Sequence, residues 1–157
     1  MKLQLERLTP EAFAPYGQVL MGNGHVPERE AWAAQVDNLR PDAKANITYM
    51  SLEPVHYPVQ VKELERHPFS HQIFVPLNGT RHLVLVCPSY DDGSPDLARC
   101  LAFEATGGQS VNYNANIWHA PRMVLHESGS FVMLRWDNNT ATDTELLTLD
   151  TPLVVEQ

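Results

Sequence analysis

Apolar positions in this chain recur mostly at every second residue and in short runs. "LQLERL", residues 3–8, alternates at its start and predicts a first strand. "TPEAFAPYG" breaks the alternation and reads as one short helix, with Thr9 as N-cap, Pro10 at the first helical position, and Pro15 with Gly17 ending it. "GQVLMG" resumes extended structure. Residues 23–45 are polar, with one patch, "PEREAWAAQV", suited to a helical turn. From Asn46 onward the pattern predicts strands at 47–52, 59–65, 72–77, 82–87, 99–104, 109–112, 118–126, 130–136 and 145–149. Turn signals separate them: "EPVHYP", "LNGT", "PSYDDGSPD", "ATGGQ", "ESGS" and "DNNTATD". Many short strands with Gly and Pro turns and little helix predict an all-β sandwich or barrel. With no linker, repeat or low-complexity segment, a single domain is expected over residues 1–157.

Composition narrows the partners. The chain is 43% hydrophobic and 19% charged, ordinary for a folded domain. Its net charge of -8 and pI near 5.2 disfavour nucleic acid or an anionic membrane as partner, while leaving room for a small anionic substrate held by a few placed cations. Charges fall within the first seven residues, with no apolar signal-peptide core, and no run approaches the ~18 apolar residues of a membrane span. On this basis Cys87 and Cys100 read as reduced core thiols of a cytoplasmic protein.

Two stretches concentrate chemistry. In "ELERHPFSHQIFVPLNG", strand alternation puts Glu63, Glu65 and His67 on one face and Leu64 and Arg66 on the other, with a bend at Pro68. Gln72 and Phe74 begin the next strand, and Asn78-Gly79 turns it. In "GGQSVNYNANIWHAP", a strand runs into an Asn-rich turn, and Trp118, His119 and Pro121 open another strand. Set apart from these, His25, His56, His82 and His126 read as surface or structurally satisfied residues. The "DDGSPD" segment reads as a solvated turn needing only φ > 0 at Gly93.

The spacing of both stretches resembles the two cupin motifs, G-x5-H-x-H-x3,4-E-x6-G and G-x5-P-x-G-x2-H-x3-N. The first motif's ligand positions fall on Glu65, His67 and Gln72, closed by Gly79. The second falls on Gly108, Asn114, Asn116 and His119, with Met123 where the final Asn stands. "MKLQLERLTPEAFAPYGQVL", "ELERHPFSHQIFVPLNG", "DDGSPDL" and "GGQSVNYNANIWHAP", in that order, resemble the ureidoglycolate lyase family across nearly the whole chain. One departure is Arg135-Trp136, where family members tend to carry Asp-Arg in the last core strand.

The resemblance implies a cupin-like double-stranded β-barrel of jelly-roll type with a short N-terminal helix, and a cytoplasmic homodimer. It implies cleavage of (S)-ureidoglycolate to glyoxylate and urea, late in allantoin and purine breakdown. Such a carbinolamide needs a base for its hydroxyl proton, an acid for the departing nitrogen, and a hold on its carboxylate. Glu65, His67 and His119 are the expected acid/base set, in the barrel lumen. Arg66, Gln72, Asn112, Tyr113, Asn114 and Trp118 are the expected substrate-binding residues. Alternation sets Arg66 on the wrong face unless the bend at Pro68, or a second subunit, brings it in. A divalent metal, nickel by the resemblance, would use Glu65, His67, Gln72 and His119. Two other readings stay open: an amidohydrolase releasing ammonia, and a cupin that only binds a metabolite. A cupin oxygenase is disfavoured by Glu65 in place of His and Gln72 in place of Glu.

Overall fold

The computed structural model describes residues 1–22, 28–31 and 33–157. His25 lies outside the described residues, as do Pro27 and Trp32 of the "PEREAWAAQV" patch; residues 28–31 and 33–36 around them are not helical. The elements are β1 (Lys2–Arg7), α1 (Pro10–Phe13), β2 (Gly17–Leu20), β3 (Lys44–Leu52), β4 (Pro54–Val55), β5 (Val59–Arg66), β6 (Gln72–Pro76), β7 (His82–Cys87), β8 (Leu101–Ala105), β9 (Ser110–Tyr113), β10 (Trp118–His119), β11 (Met123–Leu125), β12 (Gly129–Asp137) and β13 (Glu145–Glu156). The fold is all-β, as the alternation predicts. The one α-helix among the described residues starts where expected: Thr9 Oγ1 accepts from the Ala12 N–H at 3.2 Å, and Pro10 occupies the first turn.

Two sheets face each other. One has the order β10-β5-β13-β1-β8-β7-β11-β4 and the other β2-β9-β6-β12-β3. The larger sheet also pairs β10 with β7, so six of its strands close into a barrel of mixed strand direction. Two cores follow from the alternation of each strand. Val61, Leu64, Leu85, Ala102, Trp118 and Leu153 fill the closed barrel. Phe74, Val84, Val86, Phe103, Tyr113 and Phe131 fill the space between the sheets. Burial of these apolar faces supplies the main driving force for closure.

Three expectations change. The predicted strand over 118–126 is two strands, β10 and β11. Both pair with β7, but the register moves by one residue between His119↔Val86 and Met123↔Leu83, so Ala120–Arg122 form a bulge around Pro121. β13 runs on past residue 149 to Glu156, because Leu153 and Val155 continue its buried face after a register shift. Cys87 and Cys100 are not free thiols but a disulfide. The register Val86↔Leu101 sets the two cysteines opposite each other on the next rung of the β7–β8 pair. No spacing rule in the sequence conveys that pairing.

Candidate active site

Alternation in β5 sends Leu64 into the closed barrel and Glu65 to the other side, into the space between the sheets. The same holds in β10: Trp118 enters the barrel core and His119 faces outward. Glu65 and His119 are register partners, so their side chains stand abreast. Across the gap, β12, β6 and β9 align Arg135, Gln72 and Tyr113 in one row. His67, just past the end of β5, completes the group.

The distances are short. Glu65 Oε1 lies 3.4 Å from His119 Nε2 and 3.8 Å from His67 Nε2. Gln72 Oε1 is 3.0 Å from His119 Nε2. Each imidazole is fixed from behind by a backbone carbonyl: His119 Nδ1 meets Ile117 O at 2.8 Å, and His67 Nδ1 meets Asp143 O at 3.0 Å. Those contacts commit each Nδ1–H and turn both Nε2 atoms toward Glu65. Tyr113 stacks flat on His119, with ring centres 4.3 Å apart and planes 12° from parallel. Arg135 Nη1 lies 3.1 and 3.3 Å from the two ring nitrogens of His67, near-equidistance that a guanidinium reaches across the ring face. Asp137 accepts from Arg135 Nε at 3.0 Å and holds that guanidinium in place.

Burial pushes the Glu65 carboxyl up, but hydrogen bonds and charge from His119 and His67 pull it down harder, so it is held well below the usual carboxylate range. Burial drives His119 toward its neutral form against the opposing pull of Glu65. At neutral pH the site therefore holds an ionised Glu65 beside a His119 driven toward its neutral form.

That donor set fits a divalent metal. Glu65, His67 and His119 each offer one ligand atom, and these atoms lie within 4.8 Å of one another. His119 Nε2, Glu65 Oε1 and Gln72 Oε1 lie close together, an arrangement that a cation or a shared proton stabilises. The carbonyl-anchored Nδ1 atoms are the support that metal-bound histidines commonly have.

Of the residues expected from sequence, Glu65, His67, Gln72, Tyr113 and His119 come together. Arg66, Trp118 and Asn112 do not join them. Arg66 pairs with Glu145, donates to Gly93 O at 2.7 Å and stacks 4.6 Å over Trp118, which itself donates to Gly93 O at 3.0 Å. The "DDGSPD" turn thus does more than turn: Gly93, at φ 83°, presents its carbonyl to the back of both site strands. Asn112 lies on the outer face of its sheet, bonded to Gln18 and to Gln35 O at 2.9 Å each. Asn114 is half-buried, its N–H on Tyr16 O at 2.9 Å. His71 is engaged by Gln35 O at 3.0 Å. The cation at the site is Arg135. Its signal was present in "FVMLRWD", where Phe131, Met133 and Arg135 alternate onto the buried face. Arg122 is a second cation in the inter-sheet space, 4.1 Å over Phe74, and alternation across the bulge could not place it.

Known proteins resemble this chain along nearly its whole length. The model of the family described as ureidoglycolate lyase matches residues 1–156. A ureidoglycolate lyase of Pseudomonas paraeruginosa is 34% identical over 98% of this chain and 95% of that protein. Those of Brucella anthropi and Stutzerimonas stutzeri are 37% and 33% identical, over 84% and 98% of this chain and 81% and 95% of their own. Among solved structures, procruciferin, an 11S globulin from Brassica napus, overlays on 67% of this chain and 22% of its own at a TM-score of 0.41 and 11% identity, too slight a likeness to bear on the fold. With a family match from Met1 to Glu156 and relatives above 30% identity over nearly their full length, this chain belongs to the ureidoglycolate lyase family.

Proposed function

We propose that the chain is a ureidoglycolate lyase that splits (S)-ureidoglycolate into glyoxylate and urea, in allantoin and purine breakdown. The observation that carries this is the convergence of Glu65, His67 and His119 opposite Gln72 and Arg135 in the space between the sheets. The reaction moves one proton from a hydroxyl oxygen to a leaving nitrogen and neither consumes nor releases protons overall. A cluster that borrows one proton is therefore enough. Glu65, an anion at neutral pH, takes the hydroxyl proton as the carbonyl forms and the C–N bond breaks. That same proton then passes, by way of an Nε2 beside Glu65, to the departing urea nitrogen. Arg135, held by Asp137, binds the substrate carboxylate, and the Gln72 amide binds the ureido group. A metal held by Glu65, His67, Gln72 and His119 would polarise the developing carbonyl oxygen.

The test is a product assay on racemic ureidoglycolate, with and without chelator. Equal urea and glyoxylate from one enantiomer is expected. Ammonia without urea would replace this reading with an amidohydrolase, and no product above the spontaneous rate would leave a binding protein.

We further propose one domain over residues 1–157, acting in the cytoplasm as a homodimer. The buried Cys87–Cys100 disulfide, 0% and 4% exposed, would be sheltered there from thiol reductants. The outer face of the five-stranded sheet favours the dimer: Ile47 and Tyr49 are 68% and 66% exposed beside Val75, Val132 and Leu134. Sedimentation at micromolar protein should give a dimer, and Tyr49→Lys should shift it toward monomer; a wild-type monomer would end this proposal.

A further inference from the structure

The bulge between β10 and β11 has a consequence for the site. Had β10 kept its register, alternation would send Arg122 into the closed barrel with Trp118 and Ala120. The extra residue at Ala120–Arg122 reverses the order, so Met123 packs on the barrel core and Val124 enters the inter-sheet core. Arg122 then reaches into the inter-sheet space. Its guanidinium lies 4.1 Å over Phe74 and 5.7 Å from the Tyr113 and Phe131 ring centres. It forms no ion pair among the described residues, and its Nε is shielded from solvent without a partner. Two directed contacts remain: Nη2 donates to the Tyr113 hydroxyl at 3.1 Å, and Nη1 donates to Leu83 O at a longer 3.4 Å.

Leaving a shielded donor unsatisfied is a cost that a purely structural residue would shed by becoming apolar. What the guanidinium achieves in return is a fixed Tyr113. That ring is 1% exposed, is stacked in parallel on His119 at 4.3 Å, and meets Phe74 and Phe13 edge-on at 6.2 and 5.7 Å. His119 is otherwise held at its edges, by Ile117 O on one side and by Gln72 and Glu65 on the other, and meets the His67 ring only at a tilt, 5.4 Å between centres. The flat face of Tyr113 sets the tilt of the imidazole, and Arg122 sets the position of Tyr113.

We propose that Arg122 is a positioning residue for His119, acting through Tyr113. This rests on the reading that His119 takes part in the reaction. Arg122→Met is expected to lower kcat about 10- to 100-fold with KM nearly unchanged, since the imidazole loses its aim while the substrate keeps its contacts. Arg122→Lys, which can still donate to the Tyr113 hydroxyl, should recover most of kcat. Tyr113→Phe keeps the ring but loses the pin, so it should resemble Arg122→Met. The double variant should be no worse than either single one.

NMR reads the stack without reference to catalysis. The His119 ring protons, shifted upfield by the facing Tyr113, should move back downfield in Arg122→Met and Tyr113→Phe, and hold in Arg122→Lys. If Arg122→Met fails to fold, the other two variants carry the same comparison. Unmoved His119 resonances in folded Tyr113→Phe, multiplying losses in the double variant, or a rise in KM at unchanged kcat would each overturn the proposal. If wild-type protein releases no urea or glyoxylate, the lyase reading falls, and the NMR comparison still decides whether Arg122 fixes the ring.

Discussion

Glu65→Gln is expected to lower kcat by roughly 10²–10⁴-fold, the range that loss of one general base or acid commonly costs. The substitution preserves shape and removes only the charge. Glu65 is the atom group that both imidazoles address, with Oε1 3.4 Å from His119 Nε2 and 3.8 Å from His67 Nε2. Its carboxyl is held ionised by those partners, so at neutral pH the glutamine differs from it by a full charge. Stability at neutral pH should fall modestly, because a carboxyl held below its ordinary range favours the folded state when ionised, and the glutamine gives that up. A folded variant with turnover lost identifies Glu65 as a working group of the site. A variant keeping more than about a tenth of wild-type turnover would remove Glu65 from the acid/base set. Repeating the assay with added nickel separates loss of the base from loss of a metal ligand.

Acid should destabilise the protein through His82, and by a large amount. His82 is fully buried between the sheets, edge-on to Phe131 at 5.2 Å, with Nε2 unpartnered. Burial first, and the Arg122 charge second, push its pKa down to about 3. In the unfolded chain it titrates near the ordinary 6.5. Between those values the unfolded chain binds a proton that the native state refuses. The native state is therefore fully favoured above about pH 6.5 and loses stability as pH falls toward 3, at about 1.4 kcal/mol per pH unit. From pH 7 to 4.5 this one group accounts for roughly 3 kcal/mol. His82→Leu should flatten the pH dependence of the urea midpoint by that amount, other acid-sensitive groups cancelling in the comparison. Parallel wild-type and variant curves would show that His82 is not the group responsible.

His82 also shows where reading by residue type reaches its end. Taken as one more surface or satisfied histidine, it is structural but far from satisfied. It alternates inward from β7 with Val84 and Val86, and no acceptor or donor meets its Nε2. The helix cap at Thr9, the shared face of Glu65 and His67, and the separation of Arg66 from them were all legible, because each depends on neighbours a few residues away. The cupin-like spacing went further and brought Gln72 and His119 to the same place, forty-seven residues apart. Arg135 was legible in principle, being the next residue along the buried face after Met133.

The remaining features were fixed by pairing between distant strands. Cys87 and Cys100 bond because β7 and β8 meet in one particular register. Arg122 enters the inter-sheet space because β11 slips one residue against β7. Tyr113 stacks on a histidine rather than standing free at the rim, because β9 lies in the sheet facing β10. The sequence by itself determined most of the strands, the N-terminal helix and which side chains share a face, since alternation and capping are local properties of the backbone. The tertiary structure alone decided register, bulge and sheet closure, since those depend on which of many possible long-range pairings buries the most apolar surface at once.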